Sequence, residues 1–245
     1  MSTKDSIIKK VKEIMETKFE VEEVTYVPDI ADSKLTFGNK GLKFESTVLH
    51  IDMRGSTKIL NKHNKASVAK IHMAYFHTIV KIANLFGGNV RSFNGDSMLV
   101  FFQGTTKRSL SNAVKAAMKM HYMIANSEGI NPLLAQYSEI DFGIGLDDGE
   151  VLCTKIGVGG ESNNKGLFWA GNAVNKSVRL SDLAKDPYRI CISEFLYSNL
   201  QDDVKYHTRT NVLGMEEKID MWNSATFTYN DSRVTYYYTS YFWTL

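Results

Sequence analysis

Apolar residues recur along this chain with two periods, and those periods divide it into helices and strands. Over residues 4–18, Ile7, Ile8, Val11, Ile14 and Met15 fall at helical spacing and form one stripe, which calls for packing on the domain or on a partner chain. Residues 19–46 keep no period and carry Pro28 and Gly38, an irregular lead-in. The run Val48, Leu49, Ile51 predicts a buried strand that ends at Asp52 and turns through Gly55-Ser56-Thr57 into a helical stretch. Val68, Ile71, His72, Tyr75, Ile79, Ile82 and Phe86 predict a helix over 65–86, closed by Gly87-Gly88. His72 lies on that stripe and reads as a packed histidine, not a ligand.

Strands are predicted over 89–94 and 97–102, joined by Asn94-Gly95-Asp96, a strong hairpin signal. A helix follows over 107–126, with Leu110, Ala113, Val114, Ala117, His121 and Ile124 on one face. Residues 140–146 and 150–156 read as a second hairpin around Asp147-Asp148-Gly149, and 157–166 as a polar loop. A helix over 172–184, a strand over 188–193 and a helical turn from Glu194 come next. The tail predicts an aromatic hairpin, 226–229 and 234–243 around Asn230-Asp231-Ser232.

This order predicts an α+β fold with helices packed on an antiparallel-rich sheet. It divides into a lead-in (1–44), a central domain (45–200) and a C-terminal aromatic β extension of that domain (201–245). With 245 residues, the chain fits one generous domain. A net charge of +2 without a Lys/Arg cluster argues against a nucleic-acid or anionic membrane surface. The charged N-terminus has no signal-peptide core, and no apolar run is long enough to span a membrane. Cys153 and Cys191 sit alone in apolar surroundings and read as core thiols, so the expected setting is the reducing cytoplasm.

Three positions carry candidate chemistry. Asp52 brings a hard-oxygen ligand beside a turn whose N–H groups can face phosphate oxygens, which suits a divalent cation with its phosphates. Asp96 brings a second carboxylate at a hairpin tip, and would join the same site if the hairpin lies beside the first strand. Asn175 and Arg179 form an i, i+4 pair on one helical face: an amide suited to a ribose, and a fixed positive charge suited to a phosphoryl transition state. Each alone has a bland reading: a helix-capping Asp, ordinary turn chemistry, an exposed polar face.

Together the motifs resemble the class III nucleotidyl cyclase catalytic domain over roughly residues 45–200. His50-Ile51-Asp52-Met53-Arg54-Gly55-Ser56-Thr57 is similar to F-A-D-I-x-G-[FS]-T, with His50 in place of the usual aromatic. Gly95-Asp96-Ser97-Met98-Leu99-Val100-Phe101 and Gly145-Leu146-Asp147-Asp148-Gly149-Glu150-Val151 resemble the next two motifs. Gly171-Asn172-Ala173-Val174-Asn175-Lys176-Ser177-Val178-Arg179-Leu180 is similar to G-[DN]-x-V-N-x-[AS]-x-R-[LM]. The resemblance implies a ferredoxin-like sheet and two divalent cations (Mg2+ or Mn2+) per site, held by Asp52, Asp96 and the Ile51 main chain. The backbone of Met53, Arg54, Gly55, Ser56 and Thr57 would line the triphosphate, Asn175 would orient the ribose, and Arg179 would stabilise the reacting α-phosphate. It also implies a homodimer with composite sites acting on a nucleoside triphosphate. A late-strand phosphate-binding Lys is usual in the family; Lys218 and Arg233 stand in that region and neither is assigned.

The departures from the family concern the base. Adenylate cyclases carry a Lys three residues before the hairpin glycine and an Asp or Thr seven residues before the ribose Asn; here Ser92 and Phe168 stand there. Guanylate cyclases tend to use Glu and Cys. Phenylalanine makes no hydrogen bond to a purine edge and takes more room. Lacking the purine determinants, the chain resembles the Pycsar pyrimidine cyclases of bacterial anti-phage defence, whose cyclic CMP or cyclic UMP activates a separate effector. His50, Arg91 and Ser92 could serve either uracil or cytosine. An adenylate cyclase with a rewired pocket and a silent nucleotide-binding dimer are the alternatives.

Overall fold

The structure is a computed structural model and describes residues 2–157, 164–210 and 214–245. The N-terminal half runs α1 (Thr3–Glu16), β1 (Glu20–Glu23), β2 (Lys40–Arg54), α2 (Ser56–Lys62), α3 (Lys65–Leu85), β3 (Gly88–Asn94), β4 (Ser97–Gln103) and α4 (Lys107–Ala125). It continues through α5 (Asn131–Leu134), β5 (Asp141–Gly157), β6 (Lys165–Ala170), α6 (Asn172–Leu183), β7 (Ile190–Ser193), α7 (Glu194–Ser198) and α8 (Asp202–Lys205). Strands β8 (Tyr206–Thr210), β9 (Glu216–Asp220), β10 (Asn223–Tyr229) and β11 (Ser232–Thr239) close the chain.

Two long strands, β2 and β5, lie antiparallel at the centre of one mixed sheet ordered β10-β11-β7-β5-β2-β4-β3, with β1 beside β2 and β6 beside β5. Their register runs unbroken from Gly41 opposite Thr154 to Arg54 opposite Asp141. β4 pairs with the other edge of β2, placing Ser97 opposite Asp52. β7 lies parallel to the first half of β5, and β6 pairs with its last part. Strands β8 and β9 form a separate ribbon.

Helices α3 and α4 cover one face of the sheet. Ile71, Tyr75, Ile79, Leu110, Val114 and Met118 meet Leu49, Ile51, Met53, Phe142 and Ile144 there in the main core. On the opposite face α6 crosses β5, β2 and β7, with Val174 and Ala173 joining Phe44, Val48, Phe101 and Trp169. This is the predicted α+β arrangement, and it follows from two complementary apolar faces on β2 and β5.

Three local readings change. The expected hairpin at Asp147-Asp148-Gly149 is instead the middle of the single strand β5, where Asp148 sits opposite Thr47 and Gly149 opposite Ser46. The turn-like residues stay in the strand because their polar groups find cross-sheet partners. The Thr47 hydroxyl donates to Asp148 Oδ2 at 2.8 Å, and Lys176 Nζ lies 3.5 Å from Asp147 Oδ2. The lead-in is not wholly irregular either, since β1 pairs with the start of β2 at Lys40. The polar loop expected over 157–166 gives way to β6 from Lys165; residues 158–163 of that expectation lie outside the described residues.

The apolar stripe of α1 buries no residue on the domain; Met15 is 78% exposed. Cys153 and Cys191 are buried free thiols, which burial pushes up to about 12. Among the described residues no helix is long and apolar enough to cross a membrane.

Candidate active site

The site begins where β2 leaves the sheet. Asp52 is half-buried opposite Ser97 at the tip of the β3–β4 hairpin, and the Met53 N–H donates to the Asp96 carbonyl at 3.3 Å. The hairpin thus does lie beside the first strand, and it brings the Asp52 and Asp96 carboxyl groups within hydrogen-bonding reach of each other. Burial pushes the Asp52 carboxyl up to about 6, the charges of Asp96 and Asp182 add to that, and Arg54 opposes it. A carboxyl group whose ionisation is opposed by burial and by a neighbouring carboxylate, as at Asp52, would be relieved by a cation.

The residues fit a divalent metal pair held jointly with a substrate. Among the described residues no cluster of three or more acidic, His or Cys side chains forms a closed metal cage. Magnesium commonly binds through one or two carboxylates plus substrate phosphates. The Ile51 side chain is wholly buried in the main core, so only its main chain is available to the site. The fully buried Tyr75 hydroxyl has no hydrogen-bond partner among the described residues, yet it feels the charge of both Asp52 and Asp96.

After Arg54 the chain turns at Gly55, whose φ of +70° is left-handed backbone that favours glycine, and α2 starts at Ser56. The first-turn amides of Ser56 and Thr57 precede the α2 hydrogen-bond ladder, which the Lys58 and Ile59 N–H groups open by donating to the Gly55 carbonyl. The Arg54 side chain has another task. Its Nη2 donates to the carbonyls of Ser181 at 2.7 Å, Asp182 at 3.0 Å and Ala184, all at the C-terminal end of α6.

Helix α6 can approach this closely because β5 has glycines beneath it. A Cβ at Gly145 would stand 2.1 Å from the Ser177 carbonyl oxygen, and one at Gly143 would stand 2.3 Å from that of Ser181. His50 lies under the same helix, 8% exposed, with Nδ1 2.7 Å from Ser181 Oγ. Burial lowers its pKa to about 4, so it is a neutral, packed histidine.

Asn175 and Arg179 are exposed on α6, and the nearest acid to Arg179 is Asp182, 3.9 Å away. Ser92 is half-buried on β3, next to a register shift between Val90 and Ser92. Arg91 stands in that shift. Its Nε donates to the Pro28 carbonyl at 2.7 Å and its Nη2 to Asn89 Oδ1 at 3.1 Å, so the guanidinium clamps the lead-in onto β3. Phe168 is 52% exposed on β6, on the face opposite the buried Trp169. Of the unassigned late cations, Lys218 pairs with Asp202 at 2.7 Å and Arg233 Nε donates to Thr226 Oγ1. Sequence reasoning missed Asp182 and Tyr75: the first lies just beyond the last motif, and the second is hidden in a helical stripe.

No protein-family profile matches the chain. A uridylate cyclase of Burkholderia cepacia is 30% identical over 226 residues, spanning 90% of this chain and 94% of that one. The chain belongs to the pyrimidine nucleotide cyclases. A uridylate cyclase of Xanthomonas perforans is 29% identical across 96% of both chains, and a cytidylate cyclase of Staphylococcus aureus is 27% identical over 57% of this chain and 39% of its own. Among solved structures, the guanylyl cyclase Cya2 superposes with a TM-score of 0.65 at 20% identity, over 82% of this chain and 93% of that one. The adenylyl cyclase CyaB from P. aeruginosa gives 0.60 at 20%, over 81% and 95%. These two show that this pyrimidine cyclase has the class III cyclase fold.

Proposed function

We propose that this cyclase is a homodimer that converts UTP into 3′,5′-cyclic UMP and pyrophosphate at two composite sites. The observation that carries the reading is that the carboxylate pair is assembled within one chain while the Asn/Arg face of α6 is left exposed. Asp52 and Asp96 converge at one end of the sheet, while Asn175 and Arg179 stand exposed on α6 and Arg54 is the cation that acts on Asp52. In this reading a second copy presents its exposed Asn/Arg face to each carboxylate pair.

In that site Asp52, Asp96 and the Ile51 main chain hold the divalent cations, Mg2+ or Mn2+. When bound, the cations supply the Lewis acidity that lowers the pKa of the 3′-OH and offsets charge on the departing pyrophosphate. The amides of Ser56 and Thr57 face the phosphates, while Asn175 of the partner subunit orients the ribose. The 3′-oxygen attacks the α-phosphorus, the bond to the bridging oxygen breaks, and the hydroxyl proton passes to solvent. Arg179 of the partner subunit meets the negative charge that develops on the α-phosphate.

Phe168 offers a purine edge no hydrogen bond, and Ser92 replaces the base-reading Lys of adenylate cyclases, which together support a pyrimidine. Uracil is favoured over cytosine because the relatives matched across most of the chain are named uridylate cyclases. The cytidylate cyclase match spans little more than half of it. In this reading the cyclic product is a messenger for a separate effector, in anti-phage defence. Mixing tests the composite site with UTP as substrate. Asp52→Asn and Arg179→Ala chains, each inactive alone, should regain about a quarter of wild-type activity, since half the dimers are mixed and each keeps one of two sites. No recovery, with mixed dimers verified by mass, would place both halves within one chain.

A further inference from the structure

Arg54 lies two residues past Asp52, immediately before the left-handed Gly55 turn, yet its guanidinium is anchored on α6. Three carbonyls at the end of that helix, those of Ser181, Asp182 and Ala184, accept from its Nη2. Such carbonyls have no partner within a helix, and the negative end of the helix dipole favours a cation beside them. The fit is specific on the sheet side too, since a Cβ at Gly143 would stand 2.8 Å from Arg54 Nη2. The Nε is buried with no hydrogen-bond partner among the described residues, so the guanidinium holds its contact with α6 through Nη2.

We infer that Arg54 is a positioning residue that ties the two half-sites of each chain together. Its backbone continues into the turn that faces the phosphates in one site. Its side chain fixes the end of the helix whose Asn175 and Arg179 serve the other site. This rests on the composite-site reading above. Loading of Asp52 and Asp96 in one site therefore reaches, through a single side chain, the catalytic face presented to the second. A simple helix cap would steady α6 alone; a strut steadies the metal turn as well.

Hydrogen exchange on the full-length protein without metal separates these two roles. In Arg54→Met, which keeps the apolar stem and loses the donors, segments 53–57 and 180–184 should both exchange about tenfold faster, the scale of one charge-assisted hydrogen bond. Arg54→Lys, which keeps one charged donor, should fall between Met and wild type in both segments, and it stands in if the Met variant does not fold. Acceleration confined to 180–184, or to neither segment, overturns the strut. This arm needs no active site, so it is decided even if the composite reading fails.

Kinetics in the mixed dimer of Asp52→Asn and Arg179→Ala chains read the same tie at the working site. Arg54→Met in the chain that supplies Asp52 should raise the Mn2+ concentration for half-maximal activity about tenfold. In the chain that supplies Arg179 it should lower kcat about tenfold and leave the Mn2+ requirement unchanged. A response in only one of the two chains overturns the coupling. Absence of activity before Arg54 is changed instead points to failure of the composite site.

Discussion

Gly145→Ala adds one methyl group 2.1 Å from the Ser177 carbonyl oxygen and 2.3 Å from the Ser181 amide nitrogen, both backbone atoms of α6. Side-chain Cβ atoms essentially never approach closer than 3.0 Å, so helix and strand must part by about 0.9 Å at this point. Backbone cannot swing aside as a flexible side chain would, and α6 moves as a body, taking Asn175 and Arg179 with it. Misplacement of about 1 Å in a positioned catalytic group costs on the order of 100-fold in rate. Forcing a methyl group into a packed contact costs about 1–3 kcal/mol in stability, which a folded dimer can survive. The assay is kcat with saturating nucleotide and Mn2+, on protein whose dimer is verified by sedimentation and whose Tm is recorded. Gly166→Ala is the control, because among the described residues nothing lies within 4 Å of a Cβ there. Wild-type kcat in Gly145→Ala would refute the claim that the seating of α6 on β5 sets the catalytic geometry.

Asp96→Asn should abolish turnover while leaving the dimer and its Tm intact, because it removes anionic oxygen from the metal pair; activity near wild type would strike Asp96 from the site. Ser92→Lys combined with Phe168→Asp should move preference from UTP toward ATP by at least about tenfold, and an unchanged preference would mean that neither residue faces the base. His50 is neutral in the folded protein, its pKa lowered to about 4 by burial against an ordinary 6.5. A depressed base adds stability above the unfolded pKa and loses it as pH falls toward the folded one. His50→Gln should therefore flatten the stability curve between pH 6.5 and 4, by up to about 3 kcal/mol; an unaltered acid limb would show that His50 does not contribute.

The long helices were legible because their apolar stripes are local and extended: α3 and α4 fall within two residues of their predicted bounds, whereas the one-turn α5 and α8 have no stripe to read. The two carboxylates were equally open to reading, since Asp52 lies near the end of β2 just before Gly55 and Asp96 follows Gly95 in the hairpin turn. What escaped depends on distant partners. Asp147-Asp148-Gly149 has local turn chemistry, and only Thr47 and Lys176, brought in by β2 and α6, keep it in a strand. Strand β6 is short and lies off the main strand order, so it shows no clear alternation. Arg91 has the charge expected of a base-reading residue, but its guanidinium is held by the lead-in carbonyls. The side-chain role of Arg54 rests on carbonyls 127 to 130 residues away, for which no local pattern exists.

Product identity tests the central claim most directly. Purified wild-type protein is incubated with ATP, GTP, CTP and UTP at equal concentration with Mn2+, and products are identified by mass and by comparison with authentic 3′,5′-cyclic standards. The expected products are cyclic UMP and stoichiometric pyrophosphate, with both lost in Asp52→Asn. Cyclic AMP or cyclic GMP formed as fast as the better pyrimidine product, or no cyclic nucleotide from any of the four, would contradict it.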